Sequence, residues 1–430
     1  MVTKRKNNLD KTVYDNGKIL ITRRHLIYGA IGVGAAAAAG AGLKFVGEKV
    51  VGGPGSQTTI DFPVNSLVKT EELKEEQAEN FMKTSGDVKL PYGTLAWANN
   101  SDVITCLVPT KKPKPLANVE LINNKKLDRV VVIKEAKSQK DGFDIMDARA
   151  NDRGIIWTEV NILQGEWRIY CSKLNDNFDV EPKLIDKGGS AWETPTIAIC
   201  DNCVYWQVLN KSGNINSFVK KMDLNNIKAI RLTEDITGNN DIDAIITSNG
   251  RMSTPIYACN DGIVVSPRAD SKQIYYSMTY ITNDGSKKDS ATLPQSIKPL
   301  HAGYGNTGFN FSLDAIYNTG SGISNLGTYA PVTEGDYNKV KWLNFARTPS
   351  APPCWSDNYF VIRSTMSVCV ADLENLKYCI LERPNASDDY GDYLASTGNC
   401  NKIVTYASIY DQPVTGEEQK YCLLRVWEHA

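Results

Sequence analysis

The chain has 430 residues, of which 48 are Lys or Arg and 49 are Asp or Glu, so its formal net charge at pH 7 is -1. This balance supplies no basic face for neutralising phosphates, and it argues against a nucleic-acid partner. Because the only histidines are His25, His301 and His429, histidine-based metal sites and most histidine acid–base mechanisms are also disfavoured.

The first 43 residues have the organisation of a targeting segment. Arg23 and Arg24 lie at the edge of a Gly- and Ala-rich apolar run at 26–43. This pattern resembles a twin-arginine export signal, which implies a protein carried across a bacterial cytoplasmic membrane. The product would be secreted or held in the cell envelope, with membrane contact through 26–43 if the signal is not cleaved. An ordinary transmembrane anchor flanked by two arginines remains the alternative.

Residues 44–90 are predicted to form a linker. The segment 52–56 (GGPGS) has the composition of a flexible connection, and the charged segment 70–83 predicts a short helix. The β-type residues at 58–64 are a candidate strand for closing a sheet that lacks its outer strand.

From about residue 91 to residue 430, short β-type runs alternate with turn residues. Three stretches begin with the same dipeptide, at Thr194-Pro195, Thr254-Pro255 and Thr348-Pro349, which suggests a unit of about 47 residues. Asn, Asp or Gly separates the paired runs, as in β-hairpins. The pattern predicts an all-β fold, a β-propeller with seven four-stranded blades, while six or eight blades remain possible.

At the level of architecture, residues 91–430 resemble exported bacterial β-propellers of the TolB-like and WD40-like kind. The chain lacks the Gly-His to Trp-Asp blade signature, so a true WD40 array is not expected. The resemblance implies a rigid disc, expected to be a monomer, whose channel face binds a partner. Function must therefore be argued from individual residues.

The chain contains ten cysteines, all beyond residue 100. In an oxidising compartment this even number permits complete pairing, and a hairpin around Glu374 predicts a disulfide between Cys369 and Cys379. Cys200 and Cys203 flank an Asp-Asn turn between two β-type runs, which indicates a hairpin rather than a redox-active helix start.

Polar residues near the starts of the inner strands are the candidate site. The acid–base candidates are Asp144, Glu193 and Asp392. Asp147 and Tyr304 are expected at the same end of the central channel. The ligand-binding candidates are Arg251, His301, Arg347, Tyr92, Trp192 and Tyr393. No metal or cofactor is expected. The leading hypothesis is a non-catalytic propeller of the cell envelope that binds a protein, a peptide or a glycan. The alternative is an exported carbohydrate-active enzyme, a hydrolase or lyase, that uses the carboxylates.

Overall fold

The computed structural model describes residues 12–15, 20–22, 59, 60, 62, 64–99, 102–212, 216–232, 244–269, 273–318, 322–411 and 419–430. The chain divides into two compact units, Met1–Lys49 and Val50–Ala430. In the first unit, β1 (Thr12–Asp15) and β2 (Leu20–Thr22) form an antiparallel hairpin. Arg23, Arg24 and the apolar run at 26–43 lie outside the described residues.

The second unit begins with three strands from the segment 59–91, which we call the belt. They are β3 (Leu67–Lys69), β4 (Lys74–Glu75) and β5 (Met82–Pro91). Successive antiparallel sheets follow. Sheet A contains β6 (Leu95–Ala98), β7 (Val103–Pro109), β8 (Ala117–Asn123) and β9 (Arg129–Ile133). Sheet B contains β10 (Asp144–Ala150), β11 (Gly154–Asn161), β12 (Glu166–Lys173) and β13 (Lys183–Gly188). Sheet C contains β14 (Thr196–Cys200), β15 (Cys203–Val208), β16 (Ser217–Asp223) and β17 (Ala244–Ser248).

The next sheets continue the same order of strands. Sheet D contains β18 (Tyr257–Cys259), β19 (Gly262–Val265), β20 (Ser277–Thr282) and β21 (Lys287–Thr292). Sheet E contains β22 (His301–Gly305), β23 (Gly308–Leu313), β24 (Gly327–Pro331) and β25 (Trp342–Phe345). Sheet F contains β26 (Cys354–Ser356), β27 (Tyr359–Ser364), β28 (Ser367–Asp372) and β29 (Lys377–Ile380). Sheet G contains β30 (Ser387–Leu394), β32 (Ile403–Asp411) and β33 (Gln419–His429), and β31 (Gly398–Asn399) lies between β30 and β32 in the chain.

These sheets form a closed ring, so the fold is an all-β β-propeller. The innermost strands β10, β14, β18, β22 and β26 contact one another in sequence, and β28 contacts β30. Sheet G contacts sheet A through β32 and β6, which completes the circle. Radial packing of this kind leaves only short edges exposed.

Hydrophobic clusters fill the spaces between neighbouring sheets. The cluster between sheets D and E contains Trp342 and Phe311 and also Phe62 of the belt, whose ring lies 4.6 Å from that of Trp342. Further clusters lie between sheets B and C, C and D, E and F, F and G, and G and A. Burying each large side chain contributes roughly 1.5–3 kcal/mol, so the stability of the ring resides between the sheets.

The belt adds strands to the outer edges of four successive sheets. Thr59 forms a parallel bridge with Thr292 of sheet D, β3 pairs with β25, and β4 pairs with β29. The last strand, β5, pairs antiparallel with β33 along its whole length and becomes the outer strand of sheet G. The belt therefore covers sheet edges that would otherwise be open to pairing with another chain.

The prediction of seven four-stranded blades behind a transmembrane helix is wrong. Sheet E has five strands and sheet F has six, because β3 adds to the first and both β4 and β31 add to the second. Among the described residues, no helix has the length and apolar character needed to cross a membrane.

The belt also differs from the structure expected for residues 58–83. The segment 70–83 contains two 3-10 turns, Thr70–Glu72 and Ala78–Asn80, instead of a helix. The reason is that Lys74 and Glu76 donate their backbone N–H groups to carbonyl oxygens of Leu376 and Tyr378 in sheet F, at 2.9 and 2.8 Å. The outer strand of sheet G is β5, whereas the sequence had suggested 58–64.

The predicted disulfide between Cys369 and Cys379 is absent, and all ten cysteines are free and buried. Cys369 lies opposite Ile380, and Cys379 lies opposite Val370, so the two cysteines are offset by one residue. Because successive side chains of a strand point to opposite faces, Cys369 joins the cluster between sheets E and F, whereas Cys379 joins the cluster between F and G. This register places the two sulfur atoms on opposite faces of sheet F.

Candidate functional site

Partly exposed side chains of the innermost strands define a candidate site along the central channel. In each of the strands concerned, a buried alanine lies next to the partly exposed side chain. This alternation of buried and partly exposed residues is expected, because successive side chains of an extended chain point to opposite faces. The exposed members, which we call the channel group, are Trp97 in β6, Asp147 and Arg149 in β10, Tyr257 in β18, and His301 in β22.

Arg149 connects two members of the group. Its guanidinium forms an ion pair with Asp147 and lies 4.1 Å from the centre of the Trp97 ring, a cation–π arrangement. Burial raises the pKa of Asp147 although Arg149 opposes this effect. The ion pair and the ring thus form one polar and aromatic wall of the channel.

Tyr257 and His301 form a second wall. The Tyr257 hydroxyl lies 2.8 Å from Nδ1 of His301, within hydrogen-bonding distance. Burial lowers the pKa of His301 to about 4, so this imidazole is neutral at pH 7. Burial also raises the pKa of Tyr257, and the positive charge of Arg149 opposes that rise.

One end of the channel is closed by residues 395–400, which we call the plug. Its backbone bonds to β6, where Ala98 donates to the oxygen of Ala395 and accepts from Thr397, both at 2.9 Å. It bonds to β26, where Cys400 donates to the oxygen of Trp355 at 2.8 Å. β31, inside the plug, also contacts β18 and β22. The plug therefore bridges four innermost strands at one end of the channel, and we call the opposite end, where each outer strand connects to the next inner strand, the open end.

The open end contains one ion pair that joins two of the sequence candidates. Glu193 precedes β14 and Arg251 precedes β18, and their side chains pair while retaining 29% and 24% of their exposure. Partial burial lowers the pKa of Arg251. The structure thus brings these two residues together at the mouth of the channel.

The other two carboxylate candidates have different surroundings. Asp392 is buried and pairs with Arg425. Asp144 is buried beside the connection between β7 and β8, where the backbone N–H of Leu116 bonds to its carboxylate and burial raises its pKa. The contacts of Asp144, Glu193 and Asp392 do not join these residues into one acid–base pair.

The remaining aromatic and basic candidates pack within or beside the sheets. Tyr92 bonds to Tyr410, Trp192 packs against Phe218, and Tyr304 packs on Tyr280. Tyr393 stacks on Tyr406 and lies 4.3 Å below the guanidinium of Arg363. Arg347 is exposed in the β25–β26 connection and lowers the pKa values of Tyr378 and Cys369 in sheet F, against the larger effect of burial.

Sequence reasoning did not identify Trp97, Arg149 or Tyr257 as site residues, although Asp147 and His301 were among the candidates. The sequence feature that could have identified these residues is an alanine beside a large polar or aromatic residue, as in Ala96-Trp97-Ala98 and Ala148-Arg149-Ala150. In the described part of the chain, no cluster of three or more His, Cys, Asp or Glu residues could hold a metal ion.

Comparisons with known proteins assign the chain to no family. No protein-family model and no curated protein sequence matches the chain. Among solved structures it is similar to a puromycin hydrolase, with 11% identity, a TM-score of 0.49, and coverage of 79% of this chain and 54% of that one. It is also similar to an oligogalacturonate lyase in complex with manganese, with 11% identity, a TM-score of 0.46, and coverage of 82% and 98%.

TolB from Acinetobacter baumannii is another similar structure, with 11% identity, a TM-score of 0.35, and coverage of 64% of this chain and 62% of that one. The chain spans about half the length of the puromycin hydrolase, at 54%. With TM-scores of 0.49, 0.46 and 0.35, these similarities carry no argument about this chain, and the chemistry of the channel group is argued from its own residues.

Proposed function

We propose that this protein is a binding β-propeller that recognises the end of a peptide, a protein segment or a glycan in its central channel. The observation that carries the proposal is the channel group, in which four innermost strands present partly exposed polar and aromatic side chains and the plug bridges innermost strands at one end. A concave site with a few convergent polar groups is the usual form of a ligand pocket.

The chemistry of the channel group suits an uncharged or weakly charged ligand end. Arg149 and Asp147 neutralise each other, and the neutral His301 and Tyr257 together offer hydrogen-bond donors and acceptors. Trp97 supplies an aromatic surface beside them. Because the plug closes one end, a ligand enters from the end that carries Glu193 and Arg251.

The proposal places the protein in a bacterial cell envelope or outside the cell, as a monomer delivered by a twin-arginine signal. Arg23, Arg24 and the apolar run at 26–43 support this location through their sequence pattern. The near-zero net charge supports a partner other than nucleic acid.

A carbohydrate-active enzyme is the second candidate, and Asp144 is the residue that favours it. Burial raises the pKa of Asp144, and within the described part of the chain its Oδ1 atom is buried without a hydrogen-bond partner. A general acid requires such a raised pKa, but glycoside hydrolysis also requires a second carboxylate about 5–10 Å away. The different partners of Glu193 and Asp392 provide no such pair, so binding is the leading function.

The test is to screen the full chain on peptide and glycan arrays while monitoring hydrolysis of each ligand that binds. Tyr257→Phe removes only the hydroxyl that bonds to His301, and we expect it to weaken binding about tenfold because a buried polar partner is lost. Lys339→Met, an exposed change in the β24–β25 connection at the other end of sheet E, is the matched control. Turnover that depends on Asp144 would favour the enzyme, and equal effects of both variants would contradict the channel as the site.

A further inference from the structure

Three connections at the open end of the channel are held together by backbone and side-chain hydrogen bonds. Ser253, in the connection between β17 and β18, donates from its backbone to the oxygen of Ser266 at 3.0 Å and from its hydroxyl to the oxygen of Pro299 at 2.6 Å. These bonds join it to the β19–β20 connection and to the β21–β22 connection. Within the described residues, each of the three segments carries one cation.

The three cations, which we call the rim cluster, are Arg251, Arg268 and Lys298. Lys298 is exposed as a residue, but its ammonium group is partly enclosed, and this burial lowers its pKa, as do the positive charges of Arg251 and then Arg268. Two carboxylates oppose them. Glu193 pairs with Arg251, and Asp314 counteracts the lowering of the Lys298 pKa. Counted over the described residues alone, the group therefore has one positive charge more than its carboxylates neutralise.

Neighbouring residues hold Arg268 in place, but not all of its N–H donors form hydrogen bonds with described residues. Its backbone N–H donates to the hydroxyl oxygen of Ser248 at 3.0 Å, and within the described residues its Nε atom is buried with no hydrogen-bond partner. The guanidinium rests against Gly250, where a Cβ atom would lie 2.9 Å from Nη1. A buried guanidinium donor without an acceptor is costly, and an anionic oxygen would satisfy it.

Along the chain, Lys298 is three residues before His301 and Arg251 is six residues before Tyr257, so two members of the rim cluster lie in the connections that lead into two strands of the channel group. We infer that the rim cluster binds a carboxylate group of the ligand whose end enters the channel. The identity of the ligand in this inference rests on the proposed function, whereas the positive charge of the rim cluster does not depend on it. The single surplus positive charge matches a carboxylate better than a phosphate dianion.

The experiment measures binding of matched small probes to the full chain at low ionic strength, where exposed charges are least screened. N-acetylglycine is compared with its neutral amide N-acetylglycinamide, glucuronate with glucose, and inorganic phosphate is a separate probe. We expect both carboxylates to bind and both neutral partners to fail. Equal binding of acid and neutral partner, or tighter binding of phosphate, would overturn the inference.

Variants of the rim supply the second measurement. Lys298→Met and Arg268→Gln should each weaken carboxylate binding about tenfold, because a charged hydrogen-bond donor is lost. Glu193→Gln should strengthen it, because a competing carboxylate is removed from Arg251. Lys339→Met, in the β24–β25 connection at the other end of sheet E, should leave it unchanged. A rim variant that behaves like Lys339→Met would contradict the assignment.

Two glycine variants separate rim geometry from backbone strain. Gly250 and Gly285 both have positive φ, +98° and +88°, but a Cβ atom at Gly285 meets no heavy atom within 4 Å. Gly250→Ala should therefore weaken carboxylate binding by displacing Arg268, and Gly285→Ala should not. Equal losses in both would assign the effect to strain and refute the geometry. If small carboxylates bind at the rim while Tyr257→Phe leaves array binding intact, the proposed function fails and the rim site stands.

Discussion

A buried ion pair between sheets B and C allows the most direct test of the core. Lys220 in β16 lies 3.1 Å from Oδ2 of Asp186 in β13, and their side chains retain only 4% and 1% of their exposure. Trp206 donates its indole N–H to the same oxygen at 2.7 Å. Lys220→Met keeps the length of the side chain but leaves the carboxylate buried without its cation. We expect the free energy of unfolding to fall by about 3–5 kcal/mol.

The assay is equilibrium unfolding in urea of the wild-type chain and its variants. The matched control is Lys339→Met, which removes a pair with Asp336 at 3.0 Å whose side chains keep 82% and 49% of their exposure. That change should cost less than about 1 kcal/mol. Adding Asp186→Asn to Lys220→Met removes the stranded charge and should recover part of the loss. Equal costs at Lys220 and Lys339 would refute the reasoning.

Three further predictions concern the channel, the cysteines and the plug. The folded-state pKa of His301 is about 4, below the unfolded value of about 6.5, so its stabilisation is complete above pH 6.5 and is lost as the pH falls toward 4. The advantage of wild type over His301→Gln in urea unfolding should shrink across that window, and a constant difference would contradict the shift. All ten cysteines should react with Ellman's reagent in denaturant without reductant, and slowly in the folded chain, because they are free and buried; fewer than ten would indicate a disulfide. Gly398→Ala places a Cβ against the carbonyl oxygen of Ala258 at a φ of +70° and should cost at least about 1–3 kcal/mol in unfolding, whereas Gly189→Ala meets no heavy atom within 4 Å and should cost less. Similar costs for the two would show that the plug is not tightly packed.

Local turn chemistry made the β-hairpins and the propeller architecture predictable. Cys200 and Cys203 pair directly across an Asp-Asn turn, as their spacing indicated, and Asp201 has the positive φ, 48°, that such turns require. The belt was not predictable in this way, because its charged sequence resembles a helix locally. Its extended form depends on sheet edges that lie more than 200 residues further along the chain. Propensity within a window carries no information about such distant partners.

The candidate site was predictable to a smaller extent. The sequence placed Glu193 and Arg251 at one end of the channel because both precede innermost strands, but it did not predict the ion pair that they form. The plug was missed because 395–400 has no periodicity and is fixed by bonds to Ala98 and Trp355, in two other sheets. The disulfide prediction was wrong because spacing indicated a hairpin but did not determine its register by one residue.

The order in which the belt attaches to sheets D, E, F and G has a mechanical consequence. A force that pulls the chain from its amino-terminal side loads the bridge at Thr59 first, then β3, then β4, and reaches β5 last. The short early attachments would release one after another and lengthen the tether before the long pairing of β5 with β33 carried tension. The ring of sheets would therefore stay closed under forces that had already detached the belt from sheets D, E and F.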